Sequence, residues 1–128
     1  MTTFFSDYQP QQTVTPTSAG EVREIIRKAN RDRTPLVPVS SGTNLQDTHL
    51  PSVMGATAVD LSRLNKITYF DARNRNAVIQ PGVTFSQLEK ACAAEGRRTL
   101  AAIDVPGQAS VLATYLEMMP LFGWTKYH

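Results

Sequence analysis

Two helix-start signals frame this chain and narrow its fold class. Ser18 stands three residues ahead of Glu21, and Thr84 stands three residues ahead of Gln87. Each spacing is that of a capping box. A cap hydroxyl accepts a hydrogen bond from the third helical N–H, and the third side chain reaches back to the cap. After the first signal, Val22, Ile25, Ile26 and Ala29 recur on one helical face. The spacing predicts a helix that ends near Asn30, with Glu24 and Lys28 as an i,i+4 pair. After the second, Phe85, Leu88 and Cys92 share a face, and Gly96 is a natural stop. A third helix is predicted from Val111, Leu112, Tyr115, Leu116 and Met119, with Pro120 ending it.

Between the capped helices lie short runs of strand character. Pro35–Val39 carries two prolines, which restrict it to a sheet edge or a strand end. Ala58–Leu61 reads as a further strand. Lys66–Phe70 and Ala77–Gln80 read as a hairpin whose turn is the polar run Asp71–Asn76. Helices that alternate with strands in this order predict a mixed α/β (α+β) domain, a small mixed sheet with flanking helices. Residues 1–14, rich in Thr and Gln, are predicted to form a flexible arm.

At 128 residues the chain is large enough for one core and too small for two. The net charge of +2 gives no reason to expect nucleic acid or an anionic membrane as partner. A single cysteine excludes an internal disulfide. No apolar run approaches the ~20 residues of a membrane helix, and the acidic, non-basic N-terminus is unlike a signal peptide. The sequence therefore predicts a soluble, cytoplasmic protein.

The chemistry is concentrated in Ser40-Ser41-Gly42-Thr43-Asn44, directly after the Pro35–Val39 strand. Gly42 allows close approach of a ligand to the backbone. Successive N–H groups in such a turn form a concave anion site, and the hydroxyls and the amide add donors. A phosphate needs that combination; the same residues also make an ordinary polar turn. The segment lacks both G-x-G-x-x-G and G-x-x-x-x-G-K-[ST], so neither a Rossmann nor a P-loop site is available.

The succession "TPLVPVSSGTNLQDTHLP" and then "AVDLSRLNKITYFDARNRNAVIQPGVTFSQLEKACAAEG" resembles the first lobe of the flavin domain in the vanillyl-alcohol oxidase and p-cresol methylhydroxylase family. The preceding "TPTSAGEVREIIRKANRDRTP" is similar to that family's opening. The resemblance implies a PCMH-type FAD-binding fold, with residues 15–100 as its first lobe and residues 101–128 as the truncated start of a second. It implies FAD as cofactor, with Ser40, Ser41, Gly42, Thr43, Asn44 and Leu45 at the pyrophosphate. Pro81, Gly82 and Val83 would lie near its adenosine side. Asp60–Ile67 would be scaffold, with Leu61 and Ser62 closest to the cofactor. Thr43 stands where some relatives carry a flavin-linking histidine, so no covalent link is expected there. The implied activity is that of an oxidase or dehydrogenase for an alcohol, phenol or 2-hydroxy acid. No catalytic residue is assigned, and the chain alone is expected to be catalytically incomplete. The partner would be the remainder of the flavoenzyme or a separate subunit that completes the site. A flavin-free interaction module is the alternative.

Other residues offer less. Asp47 and His49 are too few for a metal site, and His128 is remote in sequence. Cys92 on an apolar helical face is expected to be buried filler. Leu121, Phe122, Trp124 and Tyr127 form an aromatic tail, predicted to pack on a second copy or on a following lobe.

Overall fold

The computed structural model describes residues 9–40, 54–99 and 106–116. Eight elements follow one another: β1 (Gln12–Val14), α1 (Ala19–Asp32), β2 (Leu36–Val39), β3 (Thr57–Asp60), β4 (Ile67–Asp71), β5 (Asn76–Ile79), α2 (Phe85–Ala94) and α3 (Val111–Leu116). Strands β1, β3 and β2 form a parallel sheet in that order, and β4 pairs with β5 as an antiparallel hairpin. The mixed α/β architecture expected from the capping signals is present.

Proline explains the order within the parallel sheet. Pro35 O accepts from the Thr57 N–H (2.9 Å) and Val39 O from the Leu61 N–H (2.6 Å), so alternate residues of β2 face β3. Pro38 falls between them and faces outward, where the missing N–H costs no ladder bond. β3 can take the centre because Ala58 and Val59 are both buried and neither lacks a donor. Where a flexible arm is predicted over residues 1–14, Gln12–Val14 instead form β1. Gln11 donates to Ala56 O at 3.0 Å just before it. A three-residue polar edge strand carries almost no periodicity of its own; only its pairing with β3 makes it visible.

Helix α1 starts as predicted but is capped differently. Ser18 Oγ accepts from the Glu21 N–H at 3.2 Å. The Glu21 carboxylate, however, accepts from the N–H and hydroxyl of Thr17 at 2.7 and 3.0 Å, one residue before the cap. Thr17 offers two donors to a carboxylate, and the pair also holds the Glu21 carboxyl below its usual range. The helix runs past Asn30 to Asp32, and Arg33 closes it in the left-handed region (φ 53°), donating to Ala29 O. Glu24 pairs with Arg27 at 2.8 Å, not with Lys28. On the apolar face Ala29 is buried and Ile26 is not.

Helix α2 matches its sequence signals at both ends. Thr84 and Gln87 form the full capping box. At the other end Gly96 adopts φ 64° and donates to Ala93 O (3.0 Å), while Arg97 donates to Cys92 O (2.8 Å). These are the two bonds of a Schellman motif, and glycine fits its left-handed position without strain. Phe85, Ala109 and Val111 form the buried cluster beside α2, with Ile79 and Leu88 packed against it. Helix α3 is described only to Leu116, so Met119 and Pro120 lie outside the described residues, as does the aromatic tail Leu121, Phe122, Trp124 and Tyr127.

The hairpin turn is organised by Asp71. One carboxylate oxygen accepts from the N–H groups of Arg73 (3.0 Å) and Asn74 (2.9 Å). The other accepts from the Asn74 amide (2.7 Å) and the Tyr69 hydroxyl (3.1 Å). These donors hold the Asp71 carboxyl below its ordinary value, the Asn74 backbone N–H foremost. A carboxylate with a lowered folded-state pKa stabilises the fold above its unfolded pKa and loses that contribution as pH falls through the lowered value. Hairpin order should therefore persist through the usual aspartate range and loosen only below it. Amide shifts of Arg73 and Asn74 followed by NMR should titrate with that lowered pKa, and Asp71→Asn should abolish the transition.

Candidate functional site at the carboxyl ends of the parallel strands

Strands β2 and β3 run in register and end side by side, which fixes where the predicted loop departs. Ser40, the first residue after β2, is only 8% exposed. Ser41, Gly42, Thr43, Asn44 and Leu45 lie outside the described residues, as do Asp47, His49 and His128. Beside Ser40, β3 ends in a tight turn. Asp60 Oδ1 accepts from the Ser62 N–H at 2.9 Å, and Leu61 O accepts from the Leu64 N–H at 3.0 Å.

The second predicted segment, Pro81–Val83, lies against that turn. Gly82 donates to Leu64 O at 2.7 Å. A Cβ on Gly82 would meet Ser62 O at 2.5 Å and Leu61 O at 2.6 Å, so two stretches of backbone meet where no side chain fits. Val83 is fully buried. Its N–H donates to Gln80 O (3.1 Å) and its carbonyl accepts from the Val111 N–H (2.9 Å). Ser40, Leu61–Leu64 and Pro81–Val83 thus form one connected framework at one end of the sheet.

Most of the framework's described backbone donors are engaged. The N–H groups of Leu61, Ser62, Gly82 and Val83 each already meet an oxygen within the protein. Those amides are not available to an anion, and the loop that begins at Ser40 carries further donors in its sequence. Parallel sheets place their ligand sites at this carboxyl end, where loops diverge.

One contributor was missed in the sequence. Residues 107–111 run beside 83–86: Ser86 donates to Gly107 O (2.9 Å), Phe85 to Ala109 O (3.1 Å) and Val111 to Val83 O. Ser110 caps α3 by accepting from the Ala113 N–H at 3.2 Å. A serine directly before the apolar run of α3 was the available signal. Cys92 is buried as expected. Burial, with a smaller push from Glu89, raises its thiol pKa, the opposite of what a reactive thiolate needs. Among the described residues no three His, Cys, Asp or Glu side chains gather as metal ligands.

Comparison with known proteins accords with this geometry. An FAD-binding domain family model matches residues 10–115. The chain belongs to this family of FAD-binding domains. It is 36% identical over 87 residues to 1'-carboxy-chondrochloren decarboxylase of Chondromyces crocatus, covering 67% of this chain and 16% of that protein. It is 30% identical over 82 residues to the flavoprotein subunit of 4-cresol dehydrogenase [hydroxylating] of Pseudomonas putida, covering 63% and 16%. Among solved structures, p-cresol methylhydroxylase with substrate bound shares the fold at a TM-score of 0.73 and 23% identity, covering 85% of this chain and 22% of that one. The 4-ethylphenol oxidase of Gulosibacter chungangensis aligns at 0.70 and 26% identity, covering 84% and 21%. This chain thus spans about a sixth of the curated relatives' length.

FAD is the cofactor of this family. Ser40, buried at the carboxyl end of β2, opens a sequence run of hydroxyl, glycine and amide residues, the donor types that a phosphate needs. No helix among the described residues is long and apolar enough to cross a membrane.

The close approach at Gly82 makes a direct prediction. Gly82→Ala should destabilise the fold by about 1–3 kcal/mol, because the new methyl meets fixed carbonyls. Gly107→Ala should be nearly silent, since its Cβ would meet only Ser86 Cβ at an ordinary 3.5 Å. Urea midpoints of the two variants check this; equal midpoints would contradict it.

Proposed function

We propose that this chain holds the pyrophosphate of FAD through Ser40, Ser41, Gly42, Thr43, Asn44 and Leu45, within an FAD-linked oxidoreductase. The observation that carries the reading is the pairing of β2 with β3. Ser40, the first residue of this donor-rich run, therefore follows β2 at the carboxyl end of a parallel sheet, where the nearby amides of Leu61, Ser62 and Gly82 are engaged. Bound FAD would supply the redox chemistry, and the chain's residues would anchor its phosphate end. Pro81, Gly82 and Val83 would then shape the wall on the adenosine side, since the N–H groups of Gly82 and Val83 are engaged elsewhere. Residues 15–100 form the first lobe and 101–128 begin the second.

The whole protein is read as an oxidase or dehydrogenase for an alcohol, phenol or 2-hydroxy acid, and as cytoplasmic. Relatives named 4-cresol dehydrogenase and D-2-hydroxyglutarate dehydrogenase support that range of substrates. The flavin ring and substrate would be enclosed by the rest of the flavoenzyme or by a partner subunit. The aromatic tail is suited to contact that lobe or a second copy. No observation favours a flavin-free interaction module.

Gly42→Val tests the loop, because the branched side chain restricts the backbone and blocks close approach of a phosphate. FAD or ADP affinity should fall at least tenfold while circular dichroism shows the fold retained. Unchanged affinity in that variant would remove the loop from the site.

A further inference from the structure

Ser110 is completely buried, yet its hydroxyl is fully used. It donates to the carbonyl oxygen of Pro81 at 2.6 Å and accepts from the N–H of Ala113 at 3.2 Å. Its own carbonyl accepts from the Thr114 hydroxyl (2.7 Å) and N–H (3.1 Å). Ser110 thus joins two elements distant in sequence, the start of α3 and the turn that ends the hairpin.

The join lies at a sensitive point. Pro81 is followed by Gly82, the residue pressed against the Leu61 and Ser62 carbonyls. Those residues continue β3, and Leu61 donates to Val39 O one residue before Ser40. From the Ser110 hydroxyl at Pro81, a continuous chain of backbone bonds therefore runs through Gly82 and Leu64 to Leu61 and Val39, next to Ser40. Across the same seam, Val111 donates to Val83 O, and Phe85 and Ser86 donate to Ala109 O and Gly107 O. Ser110 supplies the side-chain bond of this seam and the one that reaches the turn's first residue.

We propose that Ser110 is a positioning residue for the cofactor site: its hydroxyl anchors the Pro81–Val83 turn, and with it the described wall of that site. This rests on the FAD reading above. Replacing the hydroxyl by hydrogen leaves a buried carbonyl without its partner at Pro81 and removes the α3 cap. The seam's backbone bonds remain, so the fold survives while the turn loses its anchor at Pro81.

The test compares Ser110→Ala with Ser18→Ala, a control that removes the α1 cap at a residue with no bond to the seam. Both should lower the urea midpoint. Only Ser110→Ala should weaken ADP binding, by about fivefold or more, measured by calorimetry where all proteins are folded. It should also speed hydrogen exchange at the Gly82, Val83 and Val111 amides, with Ser18→Ala leaving those rates unchanged. Wild-type ADP affinity in Ser110→Ala, or equal losses in the two variants, would overturn the positioning role. Failure of the wild-type chain to bind ADP would instead count against the FAD reading. The amide rates then decide the clamp: unchanged protection at Gly82 and Val83 in Ser110→Ala would overturn it.

Discussion

The site depends on how closely one stretch of backbone can approach another at Gly82. Its position leaves about 2.5 Å between an imagined Cβ and the Ser62 carbonyl oxygen, closer than real atoms of that kind come. The hairpin β4–β5 can therefore lie against the end of β3 only with glycine at this position. That contact sets the hairpin and α2 relative to the parallel sheet, because α2 begins two residues after Val83. It also brings residues 107–111 alongside, through their bonds to Val83, Phe85 and Ser86.

From this packing follows a division of labour among polar groups. The framework residues meet one another: Leu61 with Val39, Ser62 with Asp60, Gly82 with Leu64, Val83 with Gln80. Buried backbone groups left unpaired would each cost free energy comparable to a lost hydrogen bond, so this engagement is what holds the end of the sheet together. It also means that the amides of Leu61, Ser62, Gly82 and Val83 are not free to solvate a phosphate. The proposed binding segment starts where these engaged amides stop, at Ser40.

Much of this was legible in the sequence, for reasons that differ by element. Thr84, Gln87 and Gly96 act locally, through hydrogen bonds within a few residues, so the capping box and helix stop of α2 could be read directly. Pro38 within β2 excludes a central position for a physical reason that needs no partner. β1 was not legible, because three residues of Gln, Thr and Val become a strand only through β3. The return bond of Glu21 went to Thr17 because two donors there outcompete one at Ser18. The seam between 107–111 and 83–86 joins residues more than twenty positions apart, and no local pattern encodes such a pairing. The resemblance to PCMH-type flavin domains carried the functional reading, and the family match over residues 10–115 agrees with it.

The central claim is that an FAD pyrophosphate sits at the carboxyl end of the parallel sheet. Titration of the isotope-labelled 128-residue chain with ADP, followed residue by residue by NMR, tests it most directly. The amides of Ser40–Leu45 should move most, with smaller changes at Ser62 and Pro81–Val83 neighbours. The opposite end of the strands, at Gln12, Leu36 and Thr57, should stay still. Shifts concentrated at that opposite end, or none at Ser40–Leu45 with ADP in large excess, would contradict it.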